Sequence, residues 1–170
     1  AESGRLTNIV EDLLNVSRIE MGRLSLKLGE VPVEPLVAGV IQQLGTAYPS
    51  HSFHSDISSE FPPVRADTEK LTQVLYNLVD NAAKYSPQGS QVTVSAGLRE
   101  GQGEAVIAVA DQGLGIPKDE MPRLFTRFHR IHRPETQGIR GTGLGLYIVK
   151  SLVEMMGGHV WAKSKVDQGS

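Results

Sequence analysis

An α+β fold is what this 170-residue sequence predicts: a two-layer α/β sandwich with a mixed, mostly antiparallel sheet, helices on one face and one long helix in front. Three observations predict it. Four stretches place apolar residues three and four apart, as on the buried side of a helix. Other stretches alternate apolar and polar residues, as in half-buried strands, and the two kinds interleave in a mixed order. Between Asp111 and Gly141 lies a long segment rich in glycine, proline and arginine with little regular pattern, which inside a compact domain points to function.

The elements follow in order. From Ser3 to about Arg23, Leu6, Ile9, Val10, Leu13, Leu14, Val16 and Ile19 form an apolar stripe too wide for a solitary surface helix. A helix covering its own domain's sheet and a helix packing on other helices both account for it. After Gly22, Leu24, Leu26 and Leu28 alternate as in a strand, and Pro32 and Pro35 open a helix running to about Tyr48. His51 to Ile57 alternates again, and a short strand follows Pro62-Pro63 at Val64-Arg65-Ala66. Asp67 is a fitting N-cap for the next helix, because its carboxylate can accept the free amide hydrogens of the first turn. That helix is apolar at Leu71, Val74, Leu75, Leu78, Val79 and Ala82 and ends near Ser86-Pro87. Strands over Gln91–Leu98 and Ala105–Ala110 are joined by a turn at residues 100–103. Leu144 to Met156 reads as a helix stopped by Gly157-Gly158, and Val160 to Val166 as a strand.

Composition excludes several classes. With 39% apolar and 21% charged residues the chain resembles soluble globular domains. A net charge of -2 offers no broad basic surface for nucleic acid. No apolar run approaches the roughly 20 residues of a membrane span, so no membrane contact is expected of this fragment. The absence of cysteine excludes disulfides, thiolate nucleophiles and zinc-thiolate sites. The five histidines form no metal-binding spacing, and His129 and His132 read as incidental surface residues.

Three motifs carry chemistry. In Asn77-Leu78-Val79-Asp80-Asn81-Ala82-Ala83-Lys84-Tyr85, Asn77, Asn81 and Lys84 share one helix face. The Asn81 amide oxygen suits Mg2+, a hard cation that usually meets protein through one or two groups plus phosphates and water. Lys84 would offer charge to phosphate oxygens, and Tyr85 a flat surface for a base or sugar. Taken alone, this motif is explained more simply by a helix with solvated polar residues. In Asp111-Gln112-Gly113-Leu114-Gly115-Ile116-Pro117, Gly113 and Gly115 let the backbone approach a ligand, and the carboxylate can accept a hydrogen bond from the exocyclic amine of adenine. A plain tight turn uses the same residue types. Gly141-Thr142-Gly143-Leu144-Gly145-Leu146 opens a helix, where freed backbone amides and the helix dipole favour anions.

In this order the motifs resemble the ATP-binding domain shared by sensor histidine kinases, DNA gyrase, the MutL repair protein and heat-shock chaperone ATPases, over roughly residues 22–170. The resemblance implies a Bergerat-type sandwich binding ATP and Mg2+, with Asn81 as metal ligand and Asp111 as adenine selector. Gly113, Gly115 and Ile116 would line the adenine side. Gly141, Thr142, Gly143, Leu144, Gly145 and Leu146 would belong to a hinged lid over the phosphates. Phe128 and Arg130 would be further nucleotide contacts; Phe125 and Phe128 would anchor the lid, with Arg130, Arg133 and Arg140 as candidates for the terminal phosphate. Hydrolytic relatives carry a glutamate where this chain has Asn77, an amide that cannot act as a general base, so a kinase is favoured over an ATPase, with Asn77 and Lys84 as the catalytic candidates. An ATP-gated interaction module is the other rival.

Val10-Glu11-Asp12-Leu13-Leu14-Asn15-Val16-Ser17-Arg18-Ile19-Glu20-Met21-Gly22 resembles the second helix of the histidine-kinase dimerisation hairpin. The resemblance thus implies a division into residues 1–22, part of that hairpin, and residues 23–170, the catalytic domain. It also implies a homodimer in the intact protein, a phosphoacceptor helix and a response-regulator receiver domain as partners, and a cytoplasmic location, with membrane anchoring of the intact protein left open. No histidine here sits in the family's acceptor context. The family pattern continues past Gly169-Ser170 with a threonine near the adenine aspartate and a closing strand, both expected to be missing.

Overall fold

The computed structural model describes residues 10, 13–99, 101, 103–139 and 141–170. The expected apolar positions Leu6 and Ile9, the turn residues Glu100 and Gln102, and Arg140 lie outside the described residues.

Helix α1 is described over residues 13–20. It stops in a Schellman arrangement: the Gly22 amide donates to Ile19 O and the Arg23 amide to Arg18 O. Strand β1 (Gly29–Val31) leads into helix α2 (Val33–Ala47), β2 (Ser52–Asp56), β3 (Val64–Ala66) and helix α3 (Thr68–Lys84). Strands β4 (Gln91–Arg99) and β5 (Glu104–Ala110) form a hairpin, and helix α4 (Gly145–Met155) follows the long connection. Pro35 is tolerated in α2 because its missing amide falls in the first turn, where no intrahelical partner exists.

The strands make two small sheets. β1 pairs antiparallel with β3; β2 pairs parallel with β4, which pairs antiparallel with β5. Helices α2 and α3 pack against one face of the larger sheet, giving two layers. Val37, Val40 and Leu44 from α2 meet Leu75 and Val79 from α3 over Val92 and Val94 of β4, all nearly inaccessible to solvent. Burial of each such side chain contributes about 1.5–3 kcal/mol. A second cluster joins Val16 of α1, Val74 of α3 and Ile148, Val149 and Leu152 of α4. Thus α1 spends part of its stripe on α4, while Leu13, Leu14 and Met21 stay exposed.

Two strand expectations are corrected. Residues 23–28 form no strand, and pairing begins at Gly29, where β3 lies alongside. Val160 to Val166 forms no strand either; an isolated bridge from Lys165 to Gly169 is all that the stretch contributes. Alternation alone makes no strand without a partner edge, and residues 159–163 face β5 across an open cavity instead of bonding to it.

Candidate nucleotide site

Helix α3 supplies the first wall. Its N-terminus is capped by Asp67, whose Oδ1 accepts from the Lys70 amide (3.1 Å) while Oδ2 accepts from the Lys27 amide (2.7 Å). Those backbone bonds hold the Asp67 carboxyl below the usual carboxylate range. With one face fixed in the core by Leu71, Leu75, Val79 and Ala82, the 3.6-residue period turns Asn81 towards a cavity of about 1010 Å3. Leu78 and Tyr85 line the same wall.

The end of β5 supplies the second. Asp111 lines the cavity, and its Oδ1 accepts from the amides of Gly113 (2.7 Å) and Ser170 (3.2 Å). Burial nevertheless pushes this carboxyl above its ordinary value, outweighing the two amides that lower it. The turn that follows is locked on both sides. The Leu114 amide donates to Tyr85 O (3.1 Å), and the Ile116 amide to Ser164 Oγ (2.8 Å). Glycine is required here: a Cβ on Gly113 would lie 2.6 Å from Tyr85 O, and one on Gly115, whose φ is +63°, 2.1 Å from Lys165 O. Gly115 and Ile116 both line the cavity.

Helix α4 begins at the third motif. Its N-cap residue, Leu144, offers no side-chain acceptor, so the first-turn amides of α4 have no side-chain cap. A Cβ on Gly145 would lie 3.8 Å from the Asn77 amide carbon, so this helix start abuts the first asparagine of α3. Asn77 Nδ2 is buried there with no hydrogen-bond partner among the described residues, which fits a ligand acceptor nearby. Leu146 reaches the cavity wall, whereas Asn77, Gly113, Gly141, Thr142, Gly143, Leu144 and Gly145 are not part of its lining.

The connection from residue 112 to 143 closes the remaining side. Leu124, Phe125, His129, Arg130, Ile131, Arg133 and Thr136 line the cavity. Both arginines also brace the loop: Arg130 Nη2 donates to Ile139 O (2.6 Å) and Arg133 Nη1 to Leu114 O (3.2 Å). Phe128, expected at the nucleotide and as a lid anchor, is 63% exposed with a left-handed φ of 58° and does not line the cavity. Its backbone instead packs against Gly143. Lys84 also lies away from the lining: its Nζ is 2.6 Å from Asp80 Oδ2.

Some features had no clear sequence signal. His129 is a correction: its side chain is only 8% exposed, and Nε2 lies 2.8 Å from Glu120 Oε2. The Ser170 amide donates to Asp111, where the family resemblance implies a threonine further along. Each link joins residues far apart in the chain or across an irregular loop, beyond the reach of periodicity. Among the described residues no group of three or more His, Asp or Glu could hold a metal, so a cation here would meet few protein groups, as Mg2+ does.

Comparison with known proteins agrees with this fold. The family model for histidine kinase-, DNA gyrase B- and HSP90-like ATPases matches residues 66–170. The chain is 34% identical over 170 residues to the sensor histidine kinase WalK of Bacillus subtilis (strain 168), covering 99% of this chain and 28% of WalK. Among solved structures, full-length ShkA in complex with AMPPNP superposes with a TM-score of 0.84 at 31% identity, over 99% of this chain and 35% of ShkA. The mycobacterial sensor histidine kinase MprB superposes with a TM-score of 0.67 at 30% identity, over 77% of this chain and 81% of that one. The chain spans less than half the length of curated relatives such as WalK. With its two-layer fold and these relatives, the chain belongs to the family of histidine kinase-, DNA gyrase B- and HSP90-like ATPases, among the sensor histidine kinases of two-component systems.

Proposed function

We propose that this chain binds Mg-ATP in the cavity between α3, the end of β5 and the start of α4, and presents the γ-phosphate to a histidine on a dimerisation helix. In this reading the phosphate then passes to an aspartate of a response-regulator receiver domain. The carrying observation is that Asn81 and Asp111 line one cavity while the uncapped start of α4 abuts Asn77 beside it. The adenine amine donates to the Asp111 carboxylate, Tyr85 and Ile116 flank the base, and the α4 amides with Thr142 face the phosphates. The AMPPNP complex of ShkA supports this occupancy.

Asn81 fits a magnesium ligand through its amide oxygen, and Asn77, with its orphaned Nδ2, fits a donor to a phosphate oxygen. Bound there, Mg2+ supplies charge neutralisation for the phosphates. The residues of this chain then orient the nucleotide, and catalysis is mostly positioning. Asn77 gives no general base to activate water, which preserves ATP until a protein nucleophile arrives.

Division near Gly22, with residues 1–22 belonging to a dimerisation hairpin, is supported by the helix stop there and by exposed Leu13, Leu14 and Met21. The same apolar face suits a homodimer, and we place the domain in the cytoplasm, where ATP and a response regulator are found. An adenine-nucleotide titration by calorimetry, with and without magnesium, tests the site; tighter ATP binding with the metal is expected. Incubating this chain alone with Mg-ATP should leave no acid-labile phosphate on it and give little steady-state hydrolysis. Brisk turnover would instead identify a hydrolytic ATPase.

A further inference from the structure

We propose that Arg133 is a positioning residue for the adenine end of the site, tying the long connection to the turn beside Asp111, and not a ligand of the terminal phosphate. The inference rests on the nucleotide reading of the main cavity and assigns one more residue to it.

The backbone of Arg133 is fixed at the start of a short 3-10 turn, Pro134–Thr136. Its amide donates to Thr136 Oγ1 (2.9 Å), and the Thr136 amide donates back to Arg133 O (3.0 Å). From that base the guanidinium, 21% exposed, reaches oxygens on three segments. Nη1 donates to Leu114 O (3.2 Å) in the adenine-side turn. Nη2 lies 3.8 Å from Asp167 Oδ1, and Nε lies 3.8 Å from Glu135 Oε2. Asp167 and Glu135 are 75% and 52% exposed, so water weakens both ion pairs and the bond to the Leu114 carbonyl carries the tether.

Leu114 is where the ties converge. Its amide donates to Tyr85 O (3.1 Å) at the end of α3, and its carbonyl accepts the Asp167 amide (2.9 Å) as well as the guanidinium. A carbonyl oxygen has two lone pairs, and here both are taken. The peptide plane between Leu114 and Gly115 is therefore held by protein, and both residues line the main cavity with Asp111. Arg133 lines the same cavity from the connection, together with Ile131 and Thr136. One side chain thus joins two walls at the end where the adenine acceptor stands. Charge argues the same way. The guanidinium brings one positive charge to two carboxylates, a poor setting for a triphosphate, whereas a neutral base needs only a fixed, shaped wall.

The experiment is an amide NMR titration of the 170-residue chain with adenosine and, separately, Mg-ATP, for the wild type and R133Q, with hydrogen exchange measured on each protein saturated with adenosine. R133Q should weaken both ligands by the same factor, about three- to tenfold, and leave the ratio of their affinities unchanged. At saturation the amides between residues 131 and 139 should exchange faster in R133Q than in wild type, while those of Leu114 and Ile116, bonded to Tyr85 O and Ser164 Oγ, keep their protection. R133M keeps the aliphatic stem and takes the place of R133Q should that variant fold poorly. A loss confined to Mg-ATP would put Arg133 at the phosphates and overturn the proposal. So would unchanged affinity for both ligands, or exchange that quickens throughout the protein, which is the mark of a general structural effect. Failure of the wild type to bind either ligand would overturn the nucleotide reading itself, and the proposal with it.

Discussion

The head of α3 buries an aspartate and the end of β5 half-buries another, and the fold treats the two in opposite ways. At Asp67 both oxygens accept backbone amides, and the carboxyl is held below its usual range. At Asp111 two amides converge on one oxygen, burial outweighs them, and the carboxyl is pushed up. The first charge is satisfied by its own chain; the second is kept at a cost beside a cavity. An acidic group raised by burial beside a cavity is a candidate binding group, whereas one satisfied by its own backbone is a brace.

The sharpest way to break this contrast is to fill the turn beside Asp111. Gly115→Ala should destabilise the protein by about 2–4 kcal/mol and erase nucleotide binding, since the new Cβ meets Lys165 O while the residue keeps a left-handed backbone. Chemical denaturation with a parallel titration measures both. Asp111→Asn comes next. Its amide oxygen can still accept from Gly113 and Ser170, so the melting temperature should hold or rise. Adenine loses its acceptor, and affinity should fall by about 100-fold. A variant binding ATP as tightly as wild type would remove Asp111 from the site.

Asp67→Ala should do the reverse, costing about 1–2 kcal/mol of stability while nucleotide affinity per folded molecule stays the same. The smallest effect is in pH dependence, where the signs must differ. The folded pKa of Asp67 is lowered, so its stabilisation is complete above the ordinary carboxylate value and is lost as pH falls through the folded value. The folded pKa of Asp111 is raised, so stability is greatest below the ordinary value and falls as pH rises from there to the folded value. Subtracting the Asp67→Asn and Asp111→Asn stability profiles from wild type between pH 3 and 7 should give slopes of opposite sign.

Much of this was readable along the chain. Helices α2, α3 and α4, the Asp67 cap and the β4–β5 hairpin follow from spacing and turn residues, because neighbours within a few residues dictate them. The motif around Asp111 was visible too, as a strand end followed by paired glycines, although a plain tight turn uses the same residue types. Strand pairing was harder. Leu24 to Leu28 and Val160 to Val166 alternate well enough, yet neither segment meets an open edge at bonding distance.

The sequence by itself determined the α+β class and the family and offered candidates for a nucleotide site, because local periodicity and motif order are properties of the chain. Tertiary structure alone decided which of those residues face one another. It turned Lys84 to Asp80 and Phe128 to solvent, buried His129 against Glu120 and set Ser170 on Asp111. Each of those outcomes depends on contacts between distant segments, where burial and hydrogen bonding in three dimensions, not spacing, set the energy.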